Sequence, residues 1–400
     1  MPAREFSHLR SLDGIRGIAV LMVVMIHSHL CSFGWVGCRF FVLSGFLITR
    51  ILLAESEQPL RDYLRRFYWR RGLRIWPLYF GFLLLCAVTS LTVHIPETMP
   101  RAWPWLVTFS YNFARISPHF ADSNYFGHFW TLCIEEQFYL MWPFVVFFLS
   151  RASLRRVVIF LLIGGPLLRL VSGFALSGVL DTPYQIQRGV HNLATSHLDA
   201  FAAGALLTIL PLEWRNWITP RAGKIFLIIL CITGVAGIAQ SFVLRATGLP
   251  SQWLSVGYGG LEHFHQYVWA YSLLNFTSAA LILCALEDTP LRRWLAQPWL
   301  AYIGKISFGV YVLHLPLMYI SLQLWPGHYH SPSGLIRFIT YFAITISLAS
   351  ASYFFFEKRF LMLKDVGWGN PRKSRTSSAK FGDAPESLSN EDQLAEHKGK

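Results

Sequence analysis

The sequence predicts an all-α membrane protein, a polytopic bundle of about ten transmembrane helices with the N- and C-termini both on the cytoplasmic side. Three observations carry that expectation. Of 400 residues, 54% are hydrophobic and 16% aromatic, while 14% are charged. That is too little polar surface for a soluble globule of this length. Ten apolar stretches, 13–30, 35–54, 72–93, 127–149, 156–178, 193–211, 224–243, 266–286, 302–325 and 335–356, are long enough to cross a hydrocarbon core of about 30 Å as helices. With the N-terminus inside, the cytoplasmic segments hold 24 Lys and Arg, against four outside: Arg101, Arg115, Arg188 and Arg245. Loop-by-loop alternation of that kind sets orientation, so a multi-pass protein of the cell (inner) membrane is expected.

Taken in order, the first stretch ends in Ile26-His27-Ser28-His29. It has no small-residue cleavage pattern, so it should stay as the first helix. The second leads into Arg61, Arg65, Arg66, Arg70 and Arg71 at the inner edge, and the third carries Arg74 a turn inside the span. Glu135 and Glu136 sit in the fourth, Asp199 near the outer end of the sixth, and His314 near the middle of the ninth. Gly, Pro and single charges interrupt many of these runs, as expected where helices pack on one another. From about residue 371 the chain is rich in Ser, Lys, Glu and Asp and almost free of aromatics. A transmembrane domain over 1–362 and a disordered cytoplasmic tail over 363–400 are expected.

The net charge of +13 fits topology and contact with anionic membrane lipid; no nucleic acid partner is expected. Four of the six cysteines, Cys86, Cys133, Cys231 and Cys284, lie in spans and read as small buried apolar residues. Cys31 and Cys38 fall near the outer face, where an oxidising compartment would permit a bridge. The His-x-His pairs 27/29, 263/265 and 328/330 are each half a metal site at most, so no metal is expected. His94, His119, His128 and His191 cluster on the outer side and read as solvated loop side chains, with a glycan-facing surface as the alternative.

Chemistry enters with the groups that are costly at membrane depth. Arg16 and His27 are eleven residues apart, three helical turns, which puts them on one stripe about 16 Å apart. Asp13 is placed to pair with Arg16. Glu135 lies about 12 Å below the outer edge, at the depth of His27, so the two can meet in the bundle core. Thr131, Glu135 and Tyr139 form an i, i+4, i+8 stripe, while Glu136 points about 100° away and is the second choice. The bland reading is a Glu that only ties helices together. Arg71 and Arg74 share a face and can join Arg16 around one inner mouth. Three guanidiniums there suit a polyanion such as a nucleotide phosphate, which points to a cytosolic phosphorylated donor.

These residues also carry a family resemblance. The stretch Ser11-Leu12-Asp13-Gly14-Ile15-Arg16-Gly17-Ile18-Ala19 followed by His27 resembles the opening helix of the acyltransferase family 3 proteins, the O-antigen acetylase type of membrane acyltransferase. Phe40-Phe41-Val42-Leu43-Ser44-Gly45-Phe46-Leu47 resembles the second helix, and Arg71 and Arg74 before Ile75-Trp76-Pro77-Leu78-Tyr79 match an arginine pair. Phe129-Trp130-Thr131-Leu132-Cys133-Ile134-Glu135-Glu136-Gln137-Phe138-Tyr139-Leu140 is similar to a Trp-Ser-Leu-x-x-Glu-Glu-Gln-Phe-Tyr signature, with Thr131 for the usual Ser. His197-Leu198-Asp199-Ala200, Ile306-Ser307-Phe308-Gly309-Val310-Tyr311-Val312-Leu313-His314-Leu315-Pro316 and Phe356-Glu357-Lys358-Arg359-Phe360 resemble later motifs. Coverage runs to about residue 362, and the order of the motifs is more specific than any one of them.

The resemblance implies transfer of an acyl group, most often acetyl, from cytosolic acyl-CoA to a hydroxyl of a carbohydrate or lipid-linked glycan. No permanently bound cofactor is implied; acyl-CoA is the donor substrate. Arg16, Arg71 and Arg74 would hold the CoA phosphates. His27 would act as general base or as acyl carrier, with Glu135 beside it. Thr131, Tyr139, Asp199, Ser307, Tyr311 and His314 are candidates for contact with the acceptor, with helix capping the alternative for Asp199 and packing beside Pro316 the alternative for His314. The sequence shows no soluble extension like the esterase-like domain of some relatives, so direct transfer or transfer through a partner is expected. A proton-coupled transporter would use the same Arg, His and Glu groups, and a membrane scaffold would need none of them.

Overall fold

The computed structural model describes residues 10–28, 37–90, 98–120, 123–248, 265–325 and 332–366, without the side chains of 37–39, 98–100, 332 and 365. Among the described residues there is no strand. Ten principal helices follow in chain order: α1 Arg10–His27, α2 Gly37–Glu55, α3 Leu60–Thr89, α4 Trp130–Phe148, α5 Arg151–Ser177, α6 Leu198–Ile209, α7 Ala222–Ala246, α8 Gln266–Leu286, α9 Ser307–Leu324 and α10 Pro332–Ala351. Shorter helices join them, including Pro183–Asn192 on one rim and Pro290–Leu295 and Pro298–Lys305 before α9.

Local chemistry explains several starts. Ser150 caps α5 by accepting from the Ser153 amide. Thr182 and Gln185 form a reciprocal capping box ahead of the helix Pro183–Asn192. Thr289 accepts from the Arg292 amide at the start of Pro290–Leu295. Pro143, Pro166 and Pro316 lie inside α4, α5 and α9. Each removes one backbone donor, which a packed bundle can absorb.

Six helical segments among the described residues are long and apolar enough to cross a membrane: Leu60–Thr89, Arg151–Ser177, Leu212–Ala246, Gln266–Leu286, Ser307–Leu324 and Ser333–Met362. The chain is a helical, multi-pass membrane protein. The best windows of α3, α5, α7 and α10 are only 17–33% buried, whereas that of α8 is 61% buried. The first four turn apolar side chains such as Leu84, Phe160, Ile163, Val235 and Ile339 outward, as lipid-facing helices do, and α8 is an inner helix.

The remaining four stretches also form helices. α1, with Asp13 and Arg16, and α4, with Glu135 and Glu136, run through the interior. The sixth differs from its sequence expectation. The stretch 193–211 forms a 3-10 turn, Ala194–His197, and then the twelve-residue α6, eight of whose residues are buried. Twelve residues span about 18 Å, less than a hydrocarbon core.

Small residues let these inner helices approach closely. A Cβ at Gly204 would collide with the Val42 carbonyl, and one at Gly45 with the Phe201 carbonyl. This double glycine contact locks α2 against α6. A Cβ at Gly304 would strike the Asp13 carbonyl, which seats α1 on the short helix Pro298–Lys305. Phe201 stacks on Phe138 at 3.9 Å between centroids, closing α6 onto α4.

Cys86, Cys133, Cys231 and Cys284 are free thiols. Cys31, His29, His94, His263, His328, His330 and the tail from 367 lie outside the described residues, as does the side chain of Cys38.

Candidate active site

Three helices contribute polar stripes. On α1 the stripe runs from Arg16 to His27, on α4 from Thr131 through Glu135 to Tyr139, and on α9 from Ser307 through Tyr311 to His314, each at helical spacing. α2 adds Ser44, and α3 adds Arg71 and Arg74. A cavity of about 110 Å³ collects them: its walls include Arg16, Ser44, Arg71, Arg74, Thr131, Glu135, Tyr139, Ser307 and Tyr311, with Phe40, Leu43, Leu47, Ile75 and Phe308 as the apolar part.

At the basic end, Arg16 donates to Asp13 Oδ1 at 2.8 Å. Asp13 is itself buried and leans on the short helix that carries Gly304, so the guanidinium is held from below. The Arg71 guanidinium lies 5.6 Å from the centre of the Tyr139 ring and 5.9 Å from that of Phe67, within cation–π range. Arg74 is on the same wall.

In the middle, Glu135 is clamped. Ser44 donates to Oε1 at 2.9 Å and Tyr139 donates to Oε2 at 3.2 Å, while the Ser44 and Tyr139 hydroxyls are 3.2 Å apart. Glu136 points elsewhere, as the 100° offset requires, and accepts from the Trp76 indole at 3.4 Å. Above them Thr131 and Tyr311 share a hydroxyl contact of 2.9 Å, and Tyr311 also donates to the His128 carbonyl at 2.7 Å.

At the far end stand three imidazoles. His314 Nε2 is 3.2 Å from His27 Nδ1, with ring centroids 5.1 Å apart. His128 packs edge-on against His314 at 4.9 Å. The matched depth of His27 and Glu135 is therefore bridged by α9: Tyr311 meets the α4 stripe and His314 meets His27. His27 and His314 adjoin the cavity through Tyr311.

Asp199 is the exception among the sequence candidates. It is 1% exposed and locked to Arg169, which is fully buried. Arg169 donates to Oδ1 and Oδ2 at 2.9 Å each, and to the carbonyls of Ser196 and Val268. Ser272 donates to Oδ2 at 2.7 Å. With both carboxylate oxygens occupied away from the cavity, Asp199 ties α5, α6 and α8 together; it is not brought to the acceptor position that its neighbourhood in the sequence suggests.

Two residues escape the sequence reading. Ser44 is the partner of Glu135, and nothing in a helix-by-helix reading signals it beyond one hydroxyl in an apolar run. His128 reads as a loop side chain but is 4% exposed, and neither ring nitrogen makes a hydrogen bond. A signal existed: 128, 131, 135 and 139 continue one helical stripe. His191 also differs from a solvated side chain, since it stacks on Trp130 at 4.2 Å and bonds the Tyr271 hydroxyl at 2.7 Å.

Comparison with known proteins adds three kinds of finding. Residues 9–354 match the family described as "Acyltransferase domain". The chain is 27% identical to the peptidoglycan O-acetyltransferase OatA of Listeria monocytogenes over 88% of its own length and 55% of that protein. It is 27% identical to the O-acetyltransferase OatA of Staphylococcus aureus (strain NCTC 8325 / PS 47), covering 78% of this chain and 51% of the relative. A putative O-acetyltransferase of Staphylococcus aureus (strain COL) is 26% identical over 91% of this chain and 59% of its own. The chain thus spans about half the length of the curated relatives it matches. No solved structure matches.

Proposed function

The chain belongs to the acyltransferase family that its residues 9–354 match, and from that premise we propose that it is an integral membrane O-acyltransferase. It moves an acyl group, taken as acetyl from the relatives' names, from a cytosolic acyl-CoA to a hydroxyl of a carbohydrate or lipid-linked glycan of the cell envelope. All ten helical stretches traverse or enter the inner membrane, with both termini inside.

The observation that carries this reading is the composition of one cavity: Arg16, Arg71 and Arg74 at one end, hydroxyls and Glu135 along it, and the His27–His314 pair past Tyr311. Guanidiniums form bidentate, charge-assisted bonds to phosphate oxygens, so the basic end receives the phosphates of CoA and the acyl thioester points toward the imidazoles. Arg16 and His27 are about 16 Å apart along α1, which separates the anchor from the reacting carbonyl.

In the transfer, His27 takes the proton of the acceptor hydroxyl as its oxygen attacks the thioester carbonyl. The C–S bond then breaks, and the leaving thiolate recovers that proton. In the covalent variant the imidazole nitrogen attacks first and the C–S bond breaks to release the thiolate; the acceptor oxygen then attacks the acyl carbon, the C–N bond to imidazole breaks, and the hydroxyl proton passes to the thiolate. Both routes use a neutral imidazole, and rapid quench with radiolabelled donor and no acceptor separates them. Thr131, Tyr139, Ser307 and Tyr311 supply hydroxyls that orient the acceptor, and Glu135 fixes that of Tyr139.

The test uses membranes containing the protein and radiolabelled acetyl-CoA. Label should enter a glycan fraction, and His27→Ala should abolish that transfer at unchanged protein abundance. Label accumulating in sealed vesicles with no acylated product would instead establish transport. Cysteine accessibility at positions 10 and 364, confined to the cytoplasmic face, tests the orientation.

A further inference from the structure

We propose that His314 is a positioning residue that fixes the tautomer of His27, so that Nε2 of His27 carries the lone pair used in the transfer. The proposal rests on the reading of His27 as the base or acyl carrier. It assigns a specific role to a second imidazole.

The argument is a proton count. His314 Nδ1 lies 2.7 Å from the Tyr311 carbonyl oxygen. A carbonyl can only accept, so that nitrogen carries the hydrogen, and in a neutral ring Nε2 of His314 is then a bare lone pair. That lone pair faces His27 Nδ1 at 3.2 Å. His27 Nδ1 also lies 3.0 Å from the Val23 carbonyl, again an obligate acceptor, so His27 Nδ1 carries its own hydrogen and shares it between the carbonyl and His314. One consistent chain results: Tyr311 carbonyl, His314 Nδ1–H, His314 Nε2, His27 Nδ1–H. Its last member leaves His27 Nε2 as the basic and nucleophilic nitrogen.

This is the arrangement by which a carboxylate orients the histidine of a hydrolytic triad, with an imidazole in place of the carboxylate. A charged partner at this depth would be costly to desolvate, whereas a neutral ring presents the same acceptor at less cost. When Nε2 takes a proton or an acyl group, the positive charge reaches Nδ1–H and is met by the His314 lone pair.

The surroundings hold His314 in that pose. The ring is fully buried, Tyr341 on α10 donates to the His314 carbonyl at 3.0 Å, and His128 packs on one side at 4.9 Å. Among the described residues Tyr311 is a further titratable group near the pair, and its hydroxyl is committed to His128 and Thr131.

The experiment combines kinetics with spectroscopy on the full chain in lipid nanodiscs. Imidazole ¹⁵N shifts, with the His27 signals identified by their loss in His27→Gln, should show the Nδ1–H tautomer in the unsubstituted protein and a mixture in His314→Phe. In that variant kcat should fall about 100-fold, the scale of a lost general-base contribution, with the acetyl-CoA KM changed less than twofold. His314→Gln, which places an amide oxygen near the position of Nε2, should recover at least a tenth of kcat. An Nε2–H tautomer for His27 in the unsubstituted protein overturns the proposal even if the variants fail to fold. A His314→Phe protein with kcat within twofold also overturns it while leaving His27 intact as the reacting group. Full activity in His27→Ala would instead overturn the underlying reading.

Discussion

Replacing Asp199 by Asn separates a structural from an acceptor-binding role for that residue. The substitution keeps the shape but removes the charge that faces Arg169. Both side chains are sealed, at 0% and 2% exposure, so the remaining guanidinium would be left without its counter-charge. Removing one partner of a buried ion pair costs about 3–5 kcal/mol. At roughly 2 °C per kcal/mol for a chain of this size, the melting temperature should fall by about 6–10 °C. Fluorescence-detected size-exclusion chromatography after heating measures it. The double variant Arg169→Met/Asp199→Leu should recover much of the loss, because replacing the whole pair with apolar groups of similar volume is close to neutral. An Asp199→Asn protein that melts within about 2 °C of the parent but needs far more acceptor would refute the structural assignment and return Asp199 to the substrate. Additive losses in the double variant would also refute it, since directly paired residues must couple.

Other outcomes follow from the cavity. Arg71→Ala and Arg74→Ala should each raise the acetyl-CoA KM by about tenfold or more, from the loss of a charge-assisted bond of about 1.5–3 kcal/mol, with little change in acceptor KM; equal effects on both substrates would remove the arginines from the donor mouth. Tyr311→Phe deletes the hydroxyl that joins Thr131 to the His128 carbonyl, and kcat should fall about tenfold, the scale of one hydrogen bond, at unchanged abundance in a membrane immunoblot. Gly45→Leu should abolish the monodisperse species in detergent, because even a Cβ there meets the Phe201 backbone; a normal elution profile would show that α2 and α6 can separate without loss of the fold.

The helical class and the membrane setting were legible because burial in lipid needs only apolar length, which a linear scan detects. The stripes Arg16–His27 and Thr131–Glu135–Tyr139 were legible for a similar reason, since helical periodicity is a property of one segment. What crossed between segments was not. Glu135 turns to Ser44 on α2, and His27 turns to His314 on α9; no local pattern specifies either pairing. Asp199 was misleading because its partner Arg169 lies thirty residues earlier on another helix. His128 was missed at the boundary between loop and span, where its 3-10 turn, Gly127–Phe129, feeds directly into α4.

Those particulars share a physical cause. Polar side chains at membrane depth are tolerable only where other protein groups replace water, so the helices that carry them are driven inward and must find partners there. The inner helices here meet that requirement in two separate ways. Around Arg169 the guanidinium and the Asp199 carboxylate close on each other and on Ser196, Val268 and Ser272, and the result is a rigid pin with both carboxylate oxygens used. Around the cavity the closure is incomplete by design of the same rule: Glu135 is held by hydroxyls, the three arginines line open space, and the histidines are ordered as a chain rather than a closed ring. A polar group inside a membrane protein that is buried and fully paired argues for architecture, whereas buried groups that share one cavity and leave capacity facing it argue for chemistry. By that criterion Asp199 belongs with the architecture and Arg16, Arg71, Arg74 and Glu135 are the candidates for the proposed reaction, although all five look alike as charges in apolar sequence.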